Sequence, residues 1–163
     1  MLPPFAPVMG PPIAGALALV PGWMDTTNRG KKLQLNTYRG AYAGPQGIVI
    51  GNFVWVDPDT GLALNSQQNG IIAIAALESF SYPVLYQKNN VLMTRPGNTI
   101  YPWTAGYFWA PFPSGAIQND PVYADNATGT PITGSGDISS ASETSFSVYT
   151  PCKPGGLAII ANF

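Results

Sequence analysis

The sequence contains no histidine. That removes the usual general base near neutral pH and the commonest metal ligand. Cysteine is almost absent as well. Cys152 stands alone, so an intrachain disulfide and a cysteine-based zinc site are both excluded. Charge is equally scarce: 9% of the 163 residues are Asp, Glu, Lys or Arg, against about 25% in ordinary soluble domains. The 7 cations and 8 anions nearly cancel, leaving a formal net charge of -1. Such a chain has little long-range field with which to gather DNA, RNA or an anionic membrane. It also has little repulsion to hold its own copies apart. A surface so poor in charge suits a protein that spends its life against other protein.

Recognisable catalytic signatures are missing too. There is no P-loop and no G-x-G-x-x-G fingerprint. Serines and threonines are plentiful, but a nucleophile needs a base, and only a lysine could serve; Lys88 and Lys153 lack the context. Asp57-x-Asp59-x-Gly61 falls short of a calcium loop, because Gly61 stands where a third oxygen ligand is required and the distal Glu is missing. Glu78 lies among apolar residues, with no second acid nearby in sequence to complete an acid/base pair. An edge position, or an ion pair with Arg95, is the expected role. These features imply no enzyme, no cofactor and no metal.

What is present is apolar residue and chain-breaking residue in abundance. The hydrophobic fraction of 45% supports an ordered core. The 18 glycines and 17 prolines rule out long helices and favour short strands joined by turns. Residues 2–24 carry no charge, which by length alone would permit a membrane span. Pro3, Pro4, Pro7, Pro11, Pro12 and Pro21 forbid it, since each removes a backbone donor that lipid could not replace. No Lys or Arg precedes the apolar run Ile13 to Val20, which argues against a signal peptide. The expectation is an extended apolar arm lying against its own domain or a neighbouring subunit. Residues 25–40 then hold Arg29, Lys31, Lys32 and Arg39 without a clear period, and read as a basic connector.

From residue 47 the pattern is β. Ile48 to Val56 reads as one strand, closed by the turn Asp57-Pro58-Asp59-Thr60-Gly61 and followed by Leu62 to Leu64 as the second arm of a hairpin. Asn65 to Gly70 is a polar loop. Ile71 to Ala76 leans to strand through its β-branched content. Val84 to Tyr86 and Val91 to Thr94 flank a turn at Lys88-Asn89-Asn90. Thr99 to Trp103 and Ala105 to Ala110 are aromatic strands ended by Pro111 and Pro113. Pro121 to Ala124 leads into the turn Asp125 to Thr130. Residues 133–142 form a Gly/Ser-rich surface loop. Ser145 to Tyr149 and Leu157 to Asn162 close the chain as strands, the former with alternating polar and apolar residues. Many short strands at near-regular spacing imply an all-β barrel or sandwich. The organisation expected is an arm and connector over residues 1–40 and a β domain over 41–163.

The aromatic stretch Tyr101 to Phe112 is the densest feature. Alternate residues of a strand share a face, so Trp103, with either Tyr107 and Trp109 or Phe108, is expected to pack inward. Those pointing outward would serve a protein interface or, alternatively, stack on glycan or receptor sugars.

Four blocks, in order, carry a resemblance. They are Gly51 to Gly61, Arg95 to Ile100 running into Thr104 to Trp109, Val122 to Gly129, and Glu143 to Phe146 followed by Gly155 to Ile160. Together they resemble the tailed-bacteriophage structural cement, or head decoration, proteins over about residues 40–163. The Pro-rich arm and the apolar segment after Gly70 depart from that pattern. The resemblance implies a small, tulip-like β-barrel on the exterior of a virion. It would bind the major capsid protein where capsomers meet and associate with its own copies, a trimer being favoured over a dimer. On this reading Phe5, Val8, Ile13, Leu17 and Trp23 of the arm and Arg29, Lys31 and Arg39 of the connector are the expected partner contacts.

Overall fold

A computed structural model describes residues 14–15, 31–35, 37, 40–77, 85–88, 91–134 and 136–162, with the backbone alone at 85–88 and 91. Among these residues the protein is all-β, without a helix. The strands are β1 (Lys31–Lys32), β2 (Tyr42–Ala43), β3 (Ile48–Val49), β4 (Phe53–Val56), β5 (Leu62–Leu64), β6 (Ile71–Ala76) and β7 (Leu85–Lys88). They continue with β8 (Val91–Thr94), β9 (Tyr101–Phe112), β10 (Pro121–Asp125), β11 (Pro131–Ile132), β12 (Ala141–Thr150) and β13 (Gly156–Asn162). The large sheet runs β11-β10-β12-β13-β9-β6-β4-β5-β2, with β1 also on β9, and a small sheet runs β3-β8-β7.

The large sheet folds over on itself. β4 and β12 stand far apart in the strand order, yet Phe53 and Phe146 meet with ring centroids 5.7 Å apart. The main core lies in this fold: Phe53 and Trp55 from β4, Ile74 from β6, Phe108 and Phe112 from β9, Val122 from β10, Phe146 and Val148 from β12, and Ile160 from β13. Phe108 packs edge-on against both Trp103 and Phe146. The arrangement is sandwich-like and the sheet does not close into a barrel, so of the two architectures expected, the sandwich holds. The gap is spanned by turn contacts: Phe53 donates its N–H to the Gly129 carbonyl at 2.8 Å, and Asn52 Nδ2 donates to the Thr128 carbonyl at 3.2 Å.

A second core lies on the other face of β4 and β6. Val54, Val56, Ala73 and Ala75 pack there with Ile48, Ile50, Ala63 and Ile100, against Leu33, Leu35 and Leu92. This explains why every residue of β4 is buried. Both its faces are covered, so no polar side remains.

Several strand boundaries differ from expectation; β12, for one, begins at Ala141, inside the loop expected over 133–142, and β7 takes in Lys88, expected in the turn. Ile48 to Val56 is not one strand, because Gly51 takes φ +91° and turns the chain between β3 and β4 into different sheets. Conversely, Thr99 to Ala110 is not two strands. β9 runs unbroken through Pro111 to Phe112. The Trp109 carbonyl accepts from Gly15 N–H at 2.7 Å, away from β13. Pro111, two residues along, shares that orientation, so its missing N–H costs the β13 ladder nothing.

The turns obey simpler rules. Asp57 Oδ1 accepts from Asp59 N–H at 2.9 Å, and Asp125 Oδ1 accepts from Ala127 and Thr128 N–H at 2.8 and 3.0 Å. These are turns held by their own aspartates, as expected. The polar loop after β5 is stitched down. Asn65 Oδ1 accepts from Val49 N–H while its Nδ2 donates to the Phe53 carbonyl, and Gln68 Nε2 donates to the Trp55 carbonyl at 2.7 Å.

Candidate functional site

Lys31 and Lys32 form β1, antiparallel to β9, with Lys31 opposite Ala105 and Lys32 opposite Trp103. Both lysines are exposed. Lys32 Nζ lies 5.8 Å from the Tyr101 ring centroid and 5.5 Å from that of Trp103. At this exposure such contacts contribute about 0.5–1 kcal/mol. Tyr101 is 37% exposed, one of few large hydrophobic residues left in water. Beside them runs a groove of about 380 Å³, bounded by Lys32 to Leu35, Thr37, Gly40 and Ala41 on one side and Thr99 to Pro102 on the other.

Of the residues expected to contact a partner, Lys31 is therefore exposed at the edge of β9. Phe5, Val8, Ile13, Leu17, Trp23, Arg29 and Arg39 lie outside the described residues, as does Glu78. The sequence placed Lys32 in the basic connector and Tyr101 in the aromatic stretch, but it did not bring the two together. Only the folded register brings residue 32 beside residues 101 and 103, so no local signal could have found them.

The aromatic alternatives resolve in an unexpected way. Phe108 sits in the main core, while Tyr107 is fully buried on the opposite face with Ile159, Trp109 and Tyr149. Both registers pack, because β9 is covered on both sides. Trp103 and Trp109 are each half-buried, and Lys32 stands over Trp103.

Among the described residues no three His, Cys, Asp or Glu side chains gather into a metal-binding group. Cys152 is half-buried, and burial pushes its thiol above the usual range, with a hydrogen bond to the Ala116 backbone opposing. It packs against the main core. Asp137 is held below the ordinary carboxylate range by its hydrogen bonds with Ser139.

Compared with known protein families, residues 10–162 match the XM1 gp53 minor capsid protein. The chain belongs to this family of phage minor capsid proteins. The match spans nearly the whole chain. Membership places the protein in the virion capsid, with a structural role there. No curated protein matches the chain.

Proposed function

We propose that this minor capsid protein is a decoration subunit. It binds the outer surface of the shell formed by the major capsid protein and stiffens it, acting mechanically and without turnover. The observation that carries the reading is the family match over residues 10–162. The fold agrees with it. A sheet folded around one dense core, with a second core behind β4, supplies the close-packed body that such a role calls for. A chain with 9% charged residues is suited to being covered by neighbouring subunits.

In this account the apolar arm (Phe5, Val8, Ile13, Leu17 and Trp23) reaches across a subunit boundary. Arg29, Lys31 and Arg39 add contacts from the connector, and the Lys32–Tyr101 edge extends them. Association with further copies of the chain, as a trimer rather than a dimer, turns several weak attachments into one durable one.

The test is reconstitution. Shells lacking the protein are incubated with the full chain or with a truncation of residues 1–13, and occupancy is read by cryo-electron microscopy. The full chain should occupy exterior sites on the shell, and the truncated chain should leave them empty while remaining folded. Full occupancy by the truncated chain would refute the role of Phe5, Val8 and Ile13, the part of the arm ahead of Gly15. Deletion of residues 1–24 would be a poorer test, because it also removes Gly15, which is built into the domain.

A further inference from the structure

β6 and β9 pair from Ile74 to Ala76 against Tyr101 to Trp103. A residue from far away in sequence joins Leu77, just beyond β6, to Trp109 in the second half of β9. Gly15 donates its N–H to the Trp109 carbonyl at 2.7 Å, and its own carbonyl accepts from Leu77 N–H at 2.8 Å. Gly15 is thus a one-residue splice between the end of β6 and the second half of β9. It is buried, and Ala14 beside it is half-buried.

The splice is shaped for glycine on both sides. Gly15 takes φ +81° and Gly51 takes φ +91°, a conformation that side chains disfavour. A Cβ on Gly15 would lie 2.6 Å from Ile50 Cγ2 and 2.8 Å from the Gly51 nitrogen. A Cβ on Gly51 would lie 2.6 Å from Ala14 Cβ and 2.8 Å from the Gly15 nitrogen. The two backbones touch without side chains between them. Gly51 is itself fixed, because its N–H donates to the Ala75 carbonyl at 2.9 Å.

We propose that Ala14–Gly15 is the anchor of the N-terminal arm, held in a backbone-recognition slot made by Gly51, Ala75, Leu77 and Trp109. The inference deepens the decoration reading, on which its capsid readout rests. Held at Ala14 and not only at β1, the chain ahead of the anchor loses residues 14–30 from its lead, and its greatest reach shortens by about 55 Å. Shortening the tether raises the arm's effective concentration at a neighbouring subunit. The anchor therefore selects a nearby site over a distant one.

Amide hydrogen exchange on the full chain tests the anchor directly. In the wild type, the Gly15 and Leu77 amides should exchange as slowly as those of the β9–β13 ladder, about a hundredfold or more below free-chain rates. Free exchange at both would overturn the proposal, whatever any variant does. Gly15→Val and Gly51→Val should each release Leu77 protection and expose the arm to protease. Gly134→Ala, which meets nothing within 4 Å, should change neither. Retained Leu77 protection in a folded Gly15→Val protein would also overturn it. Shell occupancy separates the two claims. If the 1–13 truncation fails to attach but folded Gly15→Val attaches fully, the anchor falls and the arm's role stands. If the truncation attaches fully, the role of Phe5, Val8 and Ile13 falls and the exchange data alone decide the anchor.

Discussion

The two halves of β9 do different work. From Gly106 to Phe112 the strand pairs with β13 and is covered on both faces, Phe108 and Phe112 on one and Tyr107 on the other. From Tyr101 to Ala105 it pairs instead with β6 on one edge and β1 on the other, with Trp103 opposite both Ile74 and Lys32. Here the aromatic rings are half-buried or exposed, and a lysine stands over them. Gly106, at φ +127°, marks the junction. One continuous strand thus joins a sealed core to a cationic-aromatic edge, and Trp103 of that edge packs on Phe108 of the core.

Substitutions can break this contrast at graded cost. Phe108→Ala in the sealed half should be the most damaging. It removes two edge-on ring contacts and leaves a cavity, at about 3–5 kcal/mol in chemical denaturation. Gly106→Val at the junction should cost on the order of 1–3 kcal/mol through backbone strain. Its signature would be faster amide exchange on both sides of residue 106. Tyr149→Ala loses the edge-on contact with Tyr107, whose ring centroid lies 5.2 Å away, and should cost about 0.5–1.5 kcal/mol beyond the area lost. Lys32→Ala in the open half should cost at most about 1 kcal/mol of stability. A larger loss there would mean that the edge supports the core. Cys152 gives the gentlest probe. Its raised thiol pKa leaves less thiolate at a given pH, so alkylation near pH 8 should be slower in the folded protein than in denaturant. Equal rates would show that the chain around residues 150–154 does not shield it.

Several strands were legible beforehand. Alternation in Thr144 to Val148 marks β12, the β-branched run Ile71 to Ala76 marks β6, and Asp57 to Gly61 marks the β4–β5 hairpin. These are local signals, set by side-chain period and turn chemistry. Other elements were harder to read. β1, β2 and β11 are two residues each, too short for a period, and exist only because a partner strand holds them. The unbroken course of β9 through Pro111 depends on which edge lacks a donor, and that is a property of the sheet. The Lys32–Tyr101 contact spans 69 positions in sequence. The bond from Gly15 to Trp109 spans still more, and Gly15 reads locally as one more glycine in a Pro-rich arm.

The account stands on the claim that this protein reinforces a phage shell from outside. The most direct measurement is the heat stability of emptied shells with and without added purified protein, with occupancy counted on the same particles. The account predicts exterior density at regular sites and a disassembly temperature that rises with occupancy. Shells that bind the protein and disassemble at an unchanged temperature, or that leave it in solution, would contradict it.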